Sequence, residues 1–235
     1  MANPTSTTLS AKEPGEEIIT FFVGPKRKSF PINQKLLTAR STFFATAIEG
    51  SPSSPDHPLV IHLPDNEGAT FEAFSNWLYH STIPCAPAQP VPNPPCPTRR
   101  LQRLYIFAEK YSMPDLCNRV MDSMQDNNLL HQIRPSIHQI RRTYNSTCEK
   151  SKLRLYCAAI LSRDLVKSTR PEEVKKFMDL MEEVPELAMD VIRFQKRFGR
   201  RLHFAPMVEP RLREGFTGMG KCHFHTHAEG ELCYL

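Results

Sequence analysis

The chain has 235 residues, 40% of them hydrophobic and 23% charged, with a formal net charge of +5. That is the balance of a soluble globular protein with length for one or two packed domains. No apolar run reaches the roughly 18 residues of a membrane span. The start, Met1-Ala2-Asn3-Pro4, has neither a basic region nor an apolar stretch, so no secretory leader is expected. The seven cysteines are scattered and are expected to be reduced thiols in the cytoplasm and/or nucleus.

Residues 1–16 are rich in Ser, Thr, Pro and charge and read as a disordered tail. Ile18–Val23 and Ser29–Ile32 read as a β-hairpin around Gly24-Pro25 and the basic Lys26-Arg27-Lys28. Two short helices follow, with Leu36 and Leu37 inward on the first and Phe44, Ala47 and Ile48 inward on the second. Residues 50–58 read as a loop and Leu59–Leu63 as a strand stopped by Pro64. Asp65 is expected to cap the next helix, whose apolar face carries Phe71, Phe74 and Leu78 beside Trp77. Residues 84–97 hold seven prolines, a density that excludes helix and central strand and implies a polyproline-like insert. It reads either as a stiff loop or as a ligand for an aromatic groove.

From about Thr98 the spacing of Leu101, Leu104, Tyr105 and Ala108 predicts a helix. Ser112-Met113-Pro114-Asp115 reads as the capping-box start of another, with Leu116, Val120, Met121 and Met124 inward. Further helices are expected near 130–144, 152–166, 172–184 and 186–200, with Leu187, Val191, Phe194 and Phe198 as the stripe of the last. Beyond Phe204 the chain is expected to be irregular.

Several phrases together resemble the BTB/POZ domain in its fungal style. They are Ile19–Gly24, Phe30, Leu36-Leu37, Arg40-Ser41, Phe43-Phe44, Val60–Asp65, Phe71–Phe74, Trp77–Tyr79, Leu104–Tyr111 and Met113–Leu116. The resemblance implies an α+β fold, a small β-sheet flanked by helical hairpins over residues 17–128; the helices read beyond it then form an α-helical extension over 129–204, and the rest an irregular tail over 205–235. It also implies a non-enzymatic protein-interaction module that binds itself or other proteins, in some relatives as a substrate adaptor for a cullin-type ubiquitin ligase. Two positions depart from the family. Glu17 stands where an Asp is usual and Asn33 where a His is usual, at a charged pocket near the family's dimer interface; the change counts against homodimerisation through the BTB domain. The hydrophobic-x-Glu motif of cullin adaptors is replaced by Pro52-Ser53-Ser54-Pro55.

The chemistry-bearing residues concentrate near the C-terminus. Zinc takes four N or S donors in a tetrahedron. Cys222, His225, His227 and Cys233 could supply them, because alternate residues of an extended strand share a face and Gly230 lets the chain turn back. The other reading is a flexible, His-bearing tail. The segment Arg193–Arg213 contains seven basic residues and one acidic residue, Glu209. It reads as a solvated helix face, as a nuclear-import patch, or as a phosphate-binding surface for nucleic acid. The last reading, joined to zinc, gives the alternative function of a metal-stabilised nuclear regulator. Met178, Met181 and Met189 read as core or as an adaptable contact surface, and Cys157 as structural. No Walker loop, G-x-S-x-G or H-E-x-x-H is present. The Gly215–Gly220 run follows no strand and lacks a Lys-Ser/Thr ending, so no catalytic residue is assigned.

Overall fold

A computed structural model describes residues 17–49, 59–83, 97–204 and 207–233. The expected N-terminal tail, the 50–58 loop and all but Pro97 of the proline-rich insert lie outside the described residues. Packing divides the described chain into two compact units, one up to Gly68 and one from Ala69 onward.

The first unit is built on a three-stranded sheet of β1 (Ile18–Val23), β2 (Lys28–Asn33) and β3 (Val60–Leu63), in the order β2-β1-β3. β1 runs antiparallel to β2, with Phe21 opposite Phe30, and parallel to β3, with Phe21 opposite Ile61. The apolar run in β1 splits by the two-residue period of a strand. Ile19, Phe21 and Val23 are buried, whereas Ile18 is 44% exposed. Phe22 stacks on His62 of β3 at 5.4 Å between ring centroids. Gly24 turns the hairpin at φ +72°, and a Cβ there would lie 3.1 Å from the Asn66 carbonyl oxygen.

α1 (Gln34–Arg40) and α2 (Thr42–Glu49) follow. Asn33 caps α1, its Oδ1 accepting from Leu36 N at 3.1 Å, and Ser41 Oγ accepts from Phe44 N at 3.2 Å. Leu37, Phe44 and Ile48 are buried, but Leu36 is 39% exposed and Ala47 is exposed. Neighbouring residues project about 100° apart on a helix, so on two-turn helices only one of each adjacent pair reaches the core. Phe44 meets Phe21 edge-on at 5.5 Å.

α3 (Gly68–His80) opens the second unit. It starts three residues after Asp65, which lies in a turn and does not cap it. Phe71, Phe74 and Trp77 of α3 form an aromatic cluster with Phe107 of α4 (Pro97–Lys110) and with Tyr111 just past its end. α5 (Pro114–Leu130) begins without the expected capping box: Met113 is its N-cap and makes no side-chain cap bond. Ser112 sits in the left-handed region at φ 52°, in the link from α4, one residue before the N-cap. Pro114 at the first helical position and Asp115 in the first turn set the start instead.

α6 (Ile137–Ser146) starts later than expected because α5 continues to Leu130 and Pro135 follows. The capping box belongs here. Ser136 Oγ accepts from Gln139 N, and the Gln139 side chain accepts from Ser136 N. α7 (Lys152–Lys167), α8 (Pro171–Glu183) and α9 (Pro185–His203) complete the extension. Ile140, Tyr144, Cys157, Leu161, Leu180, Leu187 and Val191 share its core. Met181 packs partly against this core, whereas Met178 and Met189 are 59% and 50% exposed.

Residues 207–233 form neither helix nor strand, yet they are packed. Val208 and Phe224 are buried, and Phe224 meets Tyr156 of α7 edge-on at 5.3 Å. The whole is the expected α+β arrangement, a small sheet with helices followed by a helical extension.

Candidate metal centre

The side chains that seat the C-terminal segment come from α5. Asn118, Asp122 and Gln125 follow the i, i+4, i+7 rule and form one polar stripe, and all three are buried. Asn118 pairs with the backbone of Thr226 in both directions, donating to its oxygen at 2.9 Å and accepting from its nitrogen at 2.8 Å. Gln125 donates to the Pro210 oxygen at 2.8 Å. Asp122 lies 2.9 Å from His225 Nε2 and 2.8 Å from Arg213 Nη1. Sequence reasoning missed this stripe, because polar residues on an amphipathic helix read as its wet face.

These anchors bring together all four residues singled out from the sequence. The donor atoms of Cys222, His225, His227 and Cys233 lie within 4.8 Å of one another. The backbone turns at Cys222, where His225 N donates to its oxygen, and again at Gly230, with φ +80° and Glu231 N donating to the Ala228 oxygen. The second turn returns Cys233 to the histidines: its Sγ is 3.5 Å from His225 Nδ1. The His225 and His227 rings lie 5.5 Å apart. His227 Nε2 is shielded from solvent and makes no hydrogen bond among the described residues. Burial opposes protonation of His225, but the Asp122 carboxylate outweighs it and raises the pKa; burial and then the Cys233 thiol raise that of Cys222. The set offers two sulfur and two nitrogen donors, the chemistry of a closed structural zinc site.

The basic segment does not act as one surface. Arg211 is buried against Glu209, with Nε 2.8 Å from Oε1, and Arg163 Nη2 lies 2.6 Å from Glu209 Oε2. Burial alone would raise the Glu209 carboxyl, but the two guanidiniums outweigh it and hold it below the ordinary carboxylate range. Arg213 bridges Asp122 and Asp126, Arg201 donates to the Phe216 and Gly218 oxygens, and Arg193 pairs with Asp190. Lys196, Arg197 and Arg200 line the exposed side of α9, whose inner side carries Leu187, Val191 and Phe194.

The glycine-rich run is a packed turn rather than a phosphate cradle. Met219 in its middle is buried, and a Cβ on Gly218 would fall among backbone atoms of Glu214. Cys157 is buried in the extension core, and burial pushes its thiol up to about 12. Among the positions that the family resemblance marked, Asn33 serves as the α1 cap and Glu17 is exposed, its backbone oxygen accepting from Gln34 N at 2.9 Å. The 52–55 stretch lies outside the described residues.

Residues 19–128 match the family model of the BTB/POZ domain. No curated protein matches the chain. BTB/POZ domains are in general protein-interaction modules and mediate dimerisation, so the chain carries a domain of that kind, with α6–α9 and the C-terminal segment following it.

Proposed function

We propose, from the BTB/POZ domain at residues 19–128, that the chain is a non-enzymatic scaffold whose BTB domain takes one protein partner and whose helical extension takes another. The family match carries this reading. Tethering two partners on one chain raises their effective concentration for each other, which is the physical work of a scaffold. The extension supports a second contact. Met178 on α8 and Met189 and Ile192 on α9 are each half or more exposed, and flexible, polarisable methionines suit an adaptable protein surface.

Two finer roles are open to the BTB domain. One is self-association, for which Glu17 and Asn33 require contacts other than the family's usual charged pocket. The other is delivery of a substrate to a cullin-type ligase, with α6–α9 as the helical extension that such adaptors use. Light scattering on the full chain tests the first, and a pull-down with purified cullin scaffold tests the second. A strict monomer that retains neither the scaffold nor any protein from its native cell would overturn the scaffold reading. The nuclear regulator acting on nucleic acid is the weaker reading, since Arg193, Arg201, Arg211 and Arg213 are engaged within the chain.

A further inference from the structure

We propose that Cys222, His225, His227 and Cys233 bind one Zn²⁺ ion, and that the ion fastens the C-terminal segment onto α5. This inference does not depend on the scaffold reading.

Geometry comes first. Zinc bonds to Cys sulfur at about 2.3 Å and to His nitrogen at about 2.0–2.1 Å, so a tetrahedral site sets its donors roughly 3.3–3.8 Å apart. The Cys233 Sγ to His225 Nδ1 separation of 3.5 Å falls inside that range. The whole set, within 4.8 Å, needs only small side-chain rotations to close on an ion.

The surroundings agree. His225 turns Nε2 to the Asp122 carboxylate at 2.9 Å, leaving Nδ1 toward the cluster. A carboxylate behind a ligating imidazole fixes its tautomer and orientation and raises its basicity. Arg213 in turn holds Asp122 at 2.8 Å. His227 Nε2 is an imidazole nitrogen shielded from water with no hydrogen bond among the described residues, an unfavourable arrangement that carries a desolvation cost for a buried polar group. A coordinate bond removes that cost.

The donor set selects the ion and its role. Two thiolates with two imidazoles in a tetrahedron favour zinc over oxygen-seeking cations. Four protein donors leave no position for water or substrate, so the site is structural. Residues 207–233 have no helix or sheet of their own, and an ion joining Cys222 to Cys233 supplies a cross-link in its place. Binding then couples to the order of the segment.

The test is metal analysis of the full chain, purified under reducing conditions with zinc present. One zinc per chain is expected. Cys222→Ser and Cys233→Ser should each lose most of the metal, whereas Cys148→Ser, at an exposed cysteine outside the cluster, should keep it. Asp122→Asn should keep the ligands but weaken binding about 10- to 100-fold. Stripped protein titrated with Co²⁺ should show thiolate-to-metal charge transfer and tetrahedral absorption bands. This arm needs only the wild-type chain and decides the matter even where a serine variant fails to fold. A folded wild-type chain with no zinc and no cobalt bands would overturn the proposal, as would a Cys222–Cys233 disulfide in the reduced preparation or equal metal loss from Cys148→Ser.

Discussion

Arg211 is the residue whose removal separates a packed C-terminal segment from a loosely attached one. The residue is 5% exposed. It donates to both Glu209 oxygens, Nε to Oε1 at 2.8 Å and Nη2 to Oε2 at 2.9 Å. It also reaches the backbone oxygens of Asn128 and Ile133 at 3.3 and 3.5 Å and Gln132 Oε1 at 3.4 Å, around the C-terminal end of α5. Breaking a buried ion pair from one side costs about 3–5 kcal/mol because the other charge is stranded. Glu209 keeps Arg163 at 2.6 Å, which places Arg211→Ala at the lower end, about 3 kcal/mol. For a chain of this size that is a fall in Tm of roughly 6–12 °C. Arg213→Ala is the comparison, since Arg213 is 23% exposed in its pairs with Asp122 and Asp126 and should cost about 1 kcal/mol. Urea denaturation followed by circular dichroism, with equal m-values, measures both. A loss for Arg211→Ala no greater than for Arg213→Ala would refute the buried-anchor reasoning. The pH dependence has a definite sign. The Glu209 carboxyl is depressed in the folded chain, so its contribution is complete above the ordinary carboxylate pKa. It is lost as pH falls through the lower folded value, and Arg211→Ala should flatten that acid limb.

Native alkylation at pH 8 should modify exposed Cys148 and spare Cys117 and Cys157, whose thiols burial pushes well up, Cys157 to about 12; mass spectrometry of the labelled peptides reads the outcome. Gly218→Ala should destabilise the chain by about 1–3 kcal/mol, because the new Cβ would lie 2.8 Å from the Glu214 carbonyl carbon, and thermal melts check it. Trp77, the single tryptophan, is 1% exposed, so its fluorescence should be blue-shifted and poorly quenched by acrylamide until the α3–α4 aromatic cluster unfolds.

Helices and strands with a clear apolar period were legible in the sequence: β1 with its turn at Gly24, α3 through Phe71, Phe74 and Trp77, α4, α5 and α9. Ends were less so, because caps depend on where the preceding element stops. Ser112-Met113-Pro114-Asp115 had the letters of a capping box, but the helix starts one residue later, with Met113 as its N-cap, while Ser136 and Gln139 made one. Leu36 and Ala47 read as core because composition does not say which side of a two-turn helix meets the sheet. The four Cys and His residues were legible through their local spacing, since a turn at Gly230 suffices to gather them. Their anchor, Asp122, lies 103 residues from His225, and nothing local marks so distant a pairing. The basic run was legible in part: Lys196, Arg197 and Arg200 line the exposed side of α9 as a solvated face, whereas Arg211 and Arg213 pair with Glu209 and with groups of α5, which linear charge counting does not register.

The polar stripe of α5 has a practical corollary for dissecting the chain. The family match ends at residue 128, but a fragment severed there would lose Thr226 and Pro210, which occupy Asn118 and Gln125, and Tyr156, whose hydroxyl accepts from Asn128 at 3.0 Å. Recombinant pieces trimmed to the family boundary would therefore carry a raw cut through the second unit, and a clone that continues through Cys233 is the sounder one to express.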